Sequence, residues 1–408
     1  MTPPPPLDNV TSALPRSALM AASSNLRVRI VEALQRHSLL YLFTRSFYRS
    51  AKFLPKQLLR RLYPSSWMSG LPRGFYSGVE QVRSGARPGK IILEGQPPPH
   101  FADNTLVRIS GLNQDGFQPW PVFWLREENA YLCGPSLCLR DRHARLMAEG
   151  TFSQTGRTED PSYWHFATRP QLKITGNATS IVSFWGNGVF WHWLMDAISR
   201  LALLPEFPPD TKILVPPLHP WRAWFIDAMG LRDRCVETTA AAIQVENYFF
   251  SAPSSMTGCC NPFAVNFLRD QFLPKKTSRG DLPRRFYVIR EGFTRGVHNE
   301  AEVRDFFLKR GWALVVPQTL PMPEQIELFS RAEAVVALHG SALTNLLWCS
   351  PGCRVIELNA RNFLIGAFEI IAHQLGLVHD FIICPADYRM YVHVDLAVLG
   401  QKLEKAGV

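Results

Sequence analysis

The chain has 408 residues, enough for two or three domains, and with 46% hydrophobic and 19% charged residues it can bury sizeable cores, which sets aside a disordered or fibrous chain. Its 44 Lys and Arg against 34 Asp and Glu leave a net charge of +10, which favours anionic partners (nucleotides, phospholipid surfaces or nucleic acid) without choosing among them. The eight cysteines contain no C-x-x-C pair, so a zinc framework is not indicated, and no run reaches the roughly 18 apolar residues of a membrane-spanning helix.

In chain order, Met1 to Asn9 is Pro-rich and lacks the charged-then-apolar order of a secretory signal. It is expected to be a disordered leader, with reduced thiols and a cytoplasmic location. From Arg27 to Arg61 there are nine Lys or Arg and one acid, Glu32, with Leu, Ile, Phe and Tyr at roughly helical spacing. Two readings fit: a basic amphipathic helix lying on an anionic membrane surface, or a helix packed on the main body. Residues 64–100 are rich in Pro and Gly and read as a linker, so 1–89 is taken as leader, basic helix and linker. An α/β domain is expected over 90–275. Within it, short strands fall at Pro121 to Leu125 and Ala130 to Cys133, a helix at Trp191 to Leu204, and a helix at Trp221 to Met229. The Pro, Lys and Gly of residues 274–283 mark a boundary.

Beyond it, over 284–385, strand and helix alternate. Strands are predicted at Phe286 to Ile289, Ala313 to Val316, Ala334 to Leu338, Arg354 to Leu358 and Phe381 to Cys384. They are continuous Val- and Ile-rich runs, as a parallel sheet covered on both faces requires, and the repeat points to a doubly wound fold. A last helix, Leu396 to Lys405 within 386–408, is expected to return and brace the first domain.

In an open parallel sheet, ligands bind beyond the carboxyl ends of the strands. Four successive strands place Arg290, Gln318, His339 and Glu357 there. In His339-Gly340-Ser341-Ala342-Leu343-Thr344-Asn345, Gly340 would let an anion approach the backbone and Ser341 would cap the next helix. The exposed amides of that helix suit a pyrophosphate. Arg290 and, from a loop, Arg295 would add cationic clamps. An ordinary capped turn is the other reading. Glu357 would either accept the hydroxyls of a ribose diol or pair with Arg354 or Arg361.

Earlier in the chain, His192 and Asp196 are four apart and share a helix face. A His steadied by a carboxylate is a usable general base, and Trp185, Trp191 and Trp193 would offer faces to a sugar acceptor. The alternative is a core histidine among core tryptophans, and Asp141 is a further candidate base. No D-x-D triplet occurs, so no metal or other cofactor is expected. A basic nucleic-acid-binding protein would explain the charge, but no such motif is present. A Rossmann oxidoreductase lacks its G-x-G-x-x-G.

These residues resemble glycosyltransferase family 61. The resemblance rests on Arg285-Phe286-Tyr287-Val288-Ile289-Arg290, Arg295, Asn299-Glu300, Gln325, Leu328-Phe329, the run from His339 to Asn345, Pro351-Gly352 and Val355-Ile356-Glu357-Leu358. Earlier, His192-Trp193, Asp196 and Arg200-Leu201 also fit, with Asp196 and Ser199 where many members have Glu and Pro. The resemblance implies a GT-B-like fold of two Rossmann-like domains facing a cleft. It implies a nucleotide-sugar donor (a UDP-sugar foremost) in the second domain, and inversion at the transferred sugar. The acceptor would be a saccharide or glycolipid of a cell-surface or capsular polysaccharide, reached by an enzyme that is cytoplasmic or peripheral on the inner membrane face.

Overall fold

A computed structural model describes residues 75–94, 102, 104–109, 121–151, 170–183, 186, 188–252, 255–256, 259–274, 282–290 and 295–408. The basic segment between residues 26 and 63, and Trp185, lie outside the described residues. Residues 69–408 form one compact unit, and within it the described strands make two main sheets.

The first is mixed. In chain order its strands are β1 (Phe75–Tyr76), β2 (Gly89–Leu93), β3 (Val122–Cys133), β4 (Cys138–Arg140), β5 (Leu146–Met147), β6 (Leu172–Ser180), β7 (Lys212–Val215), β8 (Cys235–Glu237) and β9 (Ala242–Ser251). They lie in the order β1-β5-β4-β3-β9-β6-β7-β8, with β2 also paired to β3. The half β9-β6-β7-β8 is parallel. Its order reverses between β6 and β9, so the segment after β6 emerges at a topological switch point. A small ribbon follows, β10 (Ser255–Met256) with β11 (Cys259–Cys260).

The second sheet has strands β12 (Arg285–Val288), β13 (Ala313–Val315), β14 (Ala334–Leu338), β15 (Arg354–Ala360) and β16 (Val378–Cys384). All are parallel, in the order β13-β12-β14-β15-β16. Every residue of the central strand β14, Ala-Val-Val-Ala-Leu, is buried, as expected for a strand covered on both faces. The switch point of this sheet lies between β12 and β14. The strands expected over 284–385 are all present, with ends displaced by up to three residues.

Four local expectations differ. Residues 75–93 do not link but build the first sheet: β1 pairs with β5, and the helix Gly78–Arg83 is held at its start by the buried Glu149, which accepts from Gly78 N at 2.8 Å and from Ser77 Oγ at 2.8 Å. The two short strands expected at 121–133 are one, because the polar residues Arg126 to Glu128 still pair with β9. The pairing skips only Asn129, whose φ of 50° is left-handed. The helix expected from Trp191 is a short α turn (Phe190–His192), a π turn (Trp193–Ala197) and a 3₁₀ segment (Ile198–Glu206). There Ser199 Oγ donates back to Met195 O at 2.5 Å, a bond that loosens helices. The final helix, Leu396–Ala406, buries Leu399 and Leu403 with Tyr287 and Phe306 in a core of the second sheet. It braces that sheet, not the first half.

The largest core lies between the sheets. It joins Trp193, Leu201, Phe225, Phe249 and Leu268 from the first half to Phe286, Leu347, Trp348 and Phe368 from the second. Burying each such side chain contributes about 1.5–3 kcal/mol, so the two halves share one interior and are held as a unit.

Candidate functional site

Arg290 follows β12 and His339-Gly340 follows β14, so both stand at the switch point of the parallel sheet. Arg290 Nη1 donates to His339 O at 3.4 Å. A Cβ on Gly340 would collide with the Arg290 guanidinium. The φ of Gly340 is 169°, ordinary extended backbone, so glycine is needed here for room and not for conformation. Burial, and then the neighbouring charge of Arg295, push Arg290 down to about 10. Burial also lowers Arg295, whose guanidinium stacks 4.7 Å over Phe363 and whose Nη1 is buried with no hydrogen-bond partner. Two guanidinium groups taken from water beside one another are a placement that an anion relieves.

The run after Gly340 is a 3₁₀ helix, Ser341–Trp348. Its N-cap is Gly340 and no side chain caps it, so Ser341 is not the cap that its type suggested. Asn345 is buried and committed to the fold. Its Nδ2 donates to Gln325 Oε1 at 3.2 Å and to Ala342 O at 3.1 Å, and its Oδ1 accepts from Trp348 Nε1 at 3.1 Å. Thus Asn345 can floor the site but has few bonds left for a ligand.

Glu357 is placed differently from expectation. It is fully buried. One oxygen lies 2.5 Å from His339 Nδ1 and the other 3.0 Å from His379 Nε2, and neither Arg354 nor Arg361 is its partner. A carboxylate with both oxygens taken inside the protein cannot receive a ribose. Burial alone would raise its pKa, but the bonds from the two imidazoles outweigh this and hold it below the ordinary glutamate range.

In the first half, His192 ends the short α turn and Asp196 lies in the π turn that follows, with Nδ1 and Oδ2 2.6 Å apart. π turns within helices occur frequently at functional sites. Both side chains are 13% exposed, so the pair is sheltered yet reachable. Asp141 is engaged elsewhere, accepting from the backbone of His143 and Arg145 and from Arg145 Nε to close a tight turn. Trp193 is 0% exposed and Trp191 6%. Trp193 packs edge-on to Trp221 and Trp191 edge-on to Phe368, so neither offers the face to an acceptor that was expected of it. Phe368 in turn lies 5.3 Å from the His339 ring, so a run of aromatic rings joins the His192 region to the His339 region.

Between the two halves is a cavity of about 540 Å³, within the range of small-ligand sites. One wall is Phe190, Pro220, Trp221 and Trp224, and the other is Pro317, Leu320, Pro321 and Met322. Of the residues chosen from sequence, Arg290, Gln318, Ser341, Ala342 and Asn345 line it. Arg295, His339, Gly340, Glu357, His192 and Asp196 are not among its lining residues. None of the described lining residues is acidic.

Residues 190–356 match the family described as Glycosyltransferase 61. This segment is a glycosyltransferase 61 domain. Over 143 residues the chain is also 29% identical to a beta-1,2-xylosyltransferase of Oryza sativa subsp. japonica. That match covers 31% of this chain and only 26% of the rice protein. The glycosyltransferase 61 domain opens on the turn that carries His192 and closes one residue before Glu357, so it draws on both sheets and supplies every described lining residue of the cavity except Gly188.

Sequence reasoning missed the aromatic wall and the partners of Glu357. Trp221 and Trp224 are three apart on the helix Pro220–Ala228, a spacing that places them on one face. That spacing could have marked them as a platform. His379 and Glu369 carried no local signal at all. Among the described residues, no helix is long and apolar enough to cross a membrane.

Proposed function

We propose that the protein is a glycosyltransferase that moves a sugar from a nucleotide-sugar donor to a saccharide acceptor. The observation that carries this reading is the Arg290 guanidinium lying against Gly340 at the switch point, inside a glycosyltransferase 61 domain. The donor diphosphate sits between Arg290, Arg295 and the start of the Ser341–Trp348 helix. The nucleoside occupies the apolar cavity against Trp221 and Trp224. Cations at the diphosphate, and the lack of acids among the described lining residues, favour a reaction without a metal. His192, steadied by Asp196, removes the acceptor hydroxyl proton as that oxygen attacks the anomeric carbon and the nucleoside diphosphate leaves, giving inversion. A GT-B-like arrangement suits this division of donor and acceptor between the halves. The named activity of the rice relative makes a pentose such as xylose the first donor sugar to test, with UDP as carrier. The basic segment between residues 26 and 63 fits an enzyme working at an anionic membrane surface on a lipid-borne glycan, in the cytoplasm.

The test is thermal stabilisation by UDP-, GDP-, CMP- and ADP-sugars in EDTA, since a ligand that binds only the folded chain raises its melting temperature. A rise with one nucleotide class, lost in Arg290→Ala, is expected. No rise with any, for a folded sample, would overturn the reading.

A further inference from the structure

Behind the switch point a line of buried polar groups leads away from His339. His339 Nδ1 meets one oxygen of Glu357, and His379 Nε2 meets the other at 3.0 Å. On the far side, His379 Nδ1 lies 3.9 Å from Glu369 Oε1. Glu369 Oε2 accepts the backbone N–H of Val107 at 2.7 Å. Val107 belongs to the first half of the molecule and packs so closely that a Cβ on Gly366, at the start of the Glu369 helix, would strike its backbone. Hydrogen bonds thus join His339, Glu357 and His379, while Glu369, bonded to Val107, stands beside His379 Nδ1, which is buried without a hydrogen-bond partner.

We infer that His379 is a positioning residue of the nucleotide site, acting through Glu357 to fix the ring of His339. This rests on the reading of His339 as part of the donor site. A carboxylate that accepts on both oxygens has one orientation. An ionised Glu357 accepts at Oε1, so the His339 Nδ1 facing it carries the proton and Nε2 is left toward the ligand side. The ring is fixed in plane as well, between Phe363 and Phe368. Remove His379, and Oε2 loses its donor in a place water does not reach. The carboxylate then gains by taking up a proton, and a protonated Glu357 no longer fixes the His339 tautomer. Glu369, 3.9 Å from His379 Nδ1, accepts the backbone N–H of Val107 and is the acidic neighbour on the far side of His379. The groups facing Glu357 are His339 from the end of β14, His379 from β16 and, through His379, Glu369 from the helix Ala367–Leu375.

The experiment follows the carboxyl carbon of Glu357 and the ring nitrogens of His339 by NMR against pH in the full chain, for wild type, His379→Leu and His379→Gln. In wild type, His339 is expected as the Nδ1–H tautomer at neutral pH. In His379→Leu the titration of Glu357 is expected to rise by about one pH unit or more. In His379→Gln, whose amide can donate to Oε2, it returns toward wild type. Equal Glu357 titrations in wild type and the leucine variant would overturn the inference. If the leucine variant does not fold, the wild-type tautomer decides, and a His339 protonated on Nε2 alone overturns it. UDP is added separately. A shift of the His339 nitrogens reports the donor site, whereas the titrations report the relay with or without nucleotide, so the two readings fail independently.

Discussion

The Arg290 guanidinium fills the space that any side chain at Gly340 would occupy. The contact is with the far end of a flexible side chain and the Gly340 backbone is unstrained, so Gly340→Ala should displace Arg290 and leave the fold intact. Hydrogen bonds to charged groups contribute about 1.5–3 kcal/mol, so calorimetry should show UDP binding weakened roughly 10- to 100-fold. The melting temperature of the free protein should barely move. Unchanged binding would show that Arg290 does not hold the phosphates.

The His192–Asp196 pair is argued as the base, apart from the donor cavity. His192→Gln and Asp196→Asn should each lower kcat by roughly 10²- to 10⁴-fold while UDP-sugar affinity stays within about twofold of wild type. Loss of donor binding in step with turnover would move this pair into the donor site instead.

The aromatic wall separates base from phosphate. Stacking of a base on an aromatic ring is worth about 1–3 kcal/mol. Trp221→Leu should therefore weaken UDP clearly and leave inorganic pyrophosphate binding as it was. Equal effects on both would argue that the cavity holds something other than the nucleoside.

Glu357 links the site to acid stability. Its folded pKa lies below the ordinary value of about 4.3. The stabilisation is therefore complete above that value and lost as pH falls through the lower, folded one. Glu369, raised first by burial, works the other way: its contribution is whole at acid pH and lost as pH rises through its folded value. Glu357→Gln removes a carboxylate that accepts two buried hydrogen bonds, and a hydrogen bond to a charged group is worth about 1.5–3 kcal/mol. Urea unfolding should show that deficit at neutral pH and a narrower gap from wild type below about pH 4. A gap independent of pH would mean that Glu357 is not held as a carboxylate.

The second sheet and the residues on its carboxyl edge could be read from the pattern of the chain. Runs such as Ala334–Leu338 are too short and too apolar for anything but buried strands, and a parallel sheet sends the residue after each strand to the same edge. Arg290, Gln318, His339 and Gly340 were therefore legible as neighbours. So was the His192–Asp196 pair, because four residues make about one helical turn, even though the helix passes from α to π between them. Which side of a ring or carboxylate faces what came from packing between elements far apart in the chain. Trp191 and Trp193 are core while Trp221 lines the cavity, although all three stand in helical segments rich in apolar residues. Glu357 turns inward because His379, 22 residues away, arrives on the adjacent strand. Local spacing reports periodicity along one element. The surroundings of a side chain come from elements distant in sequence, and it is their packing that assigned Glu357 to two histidines.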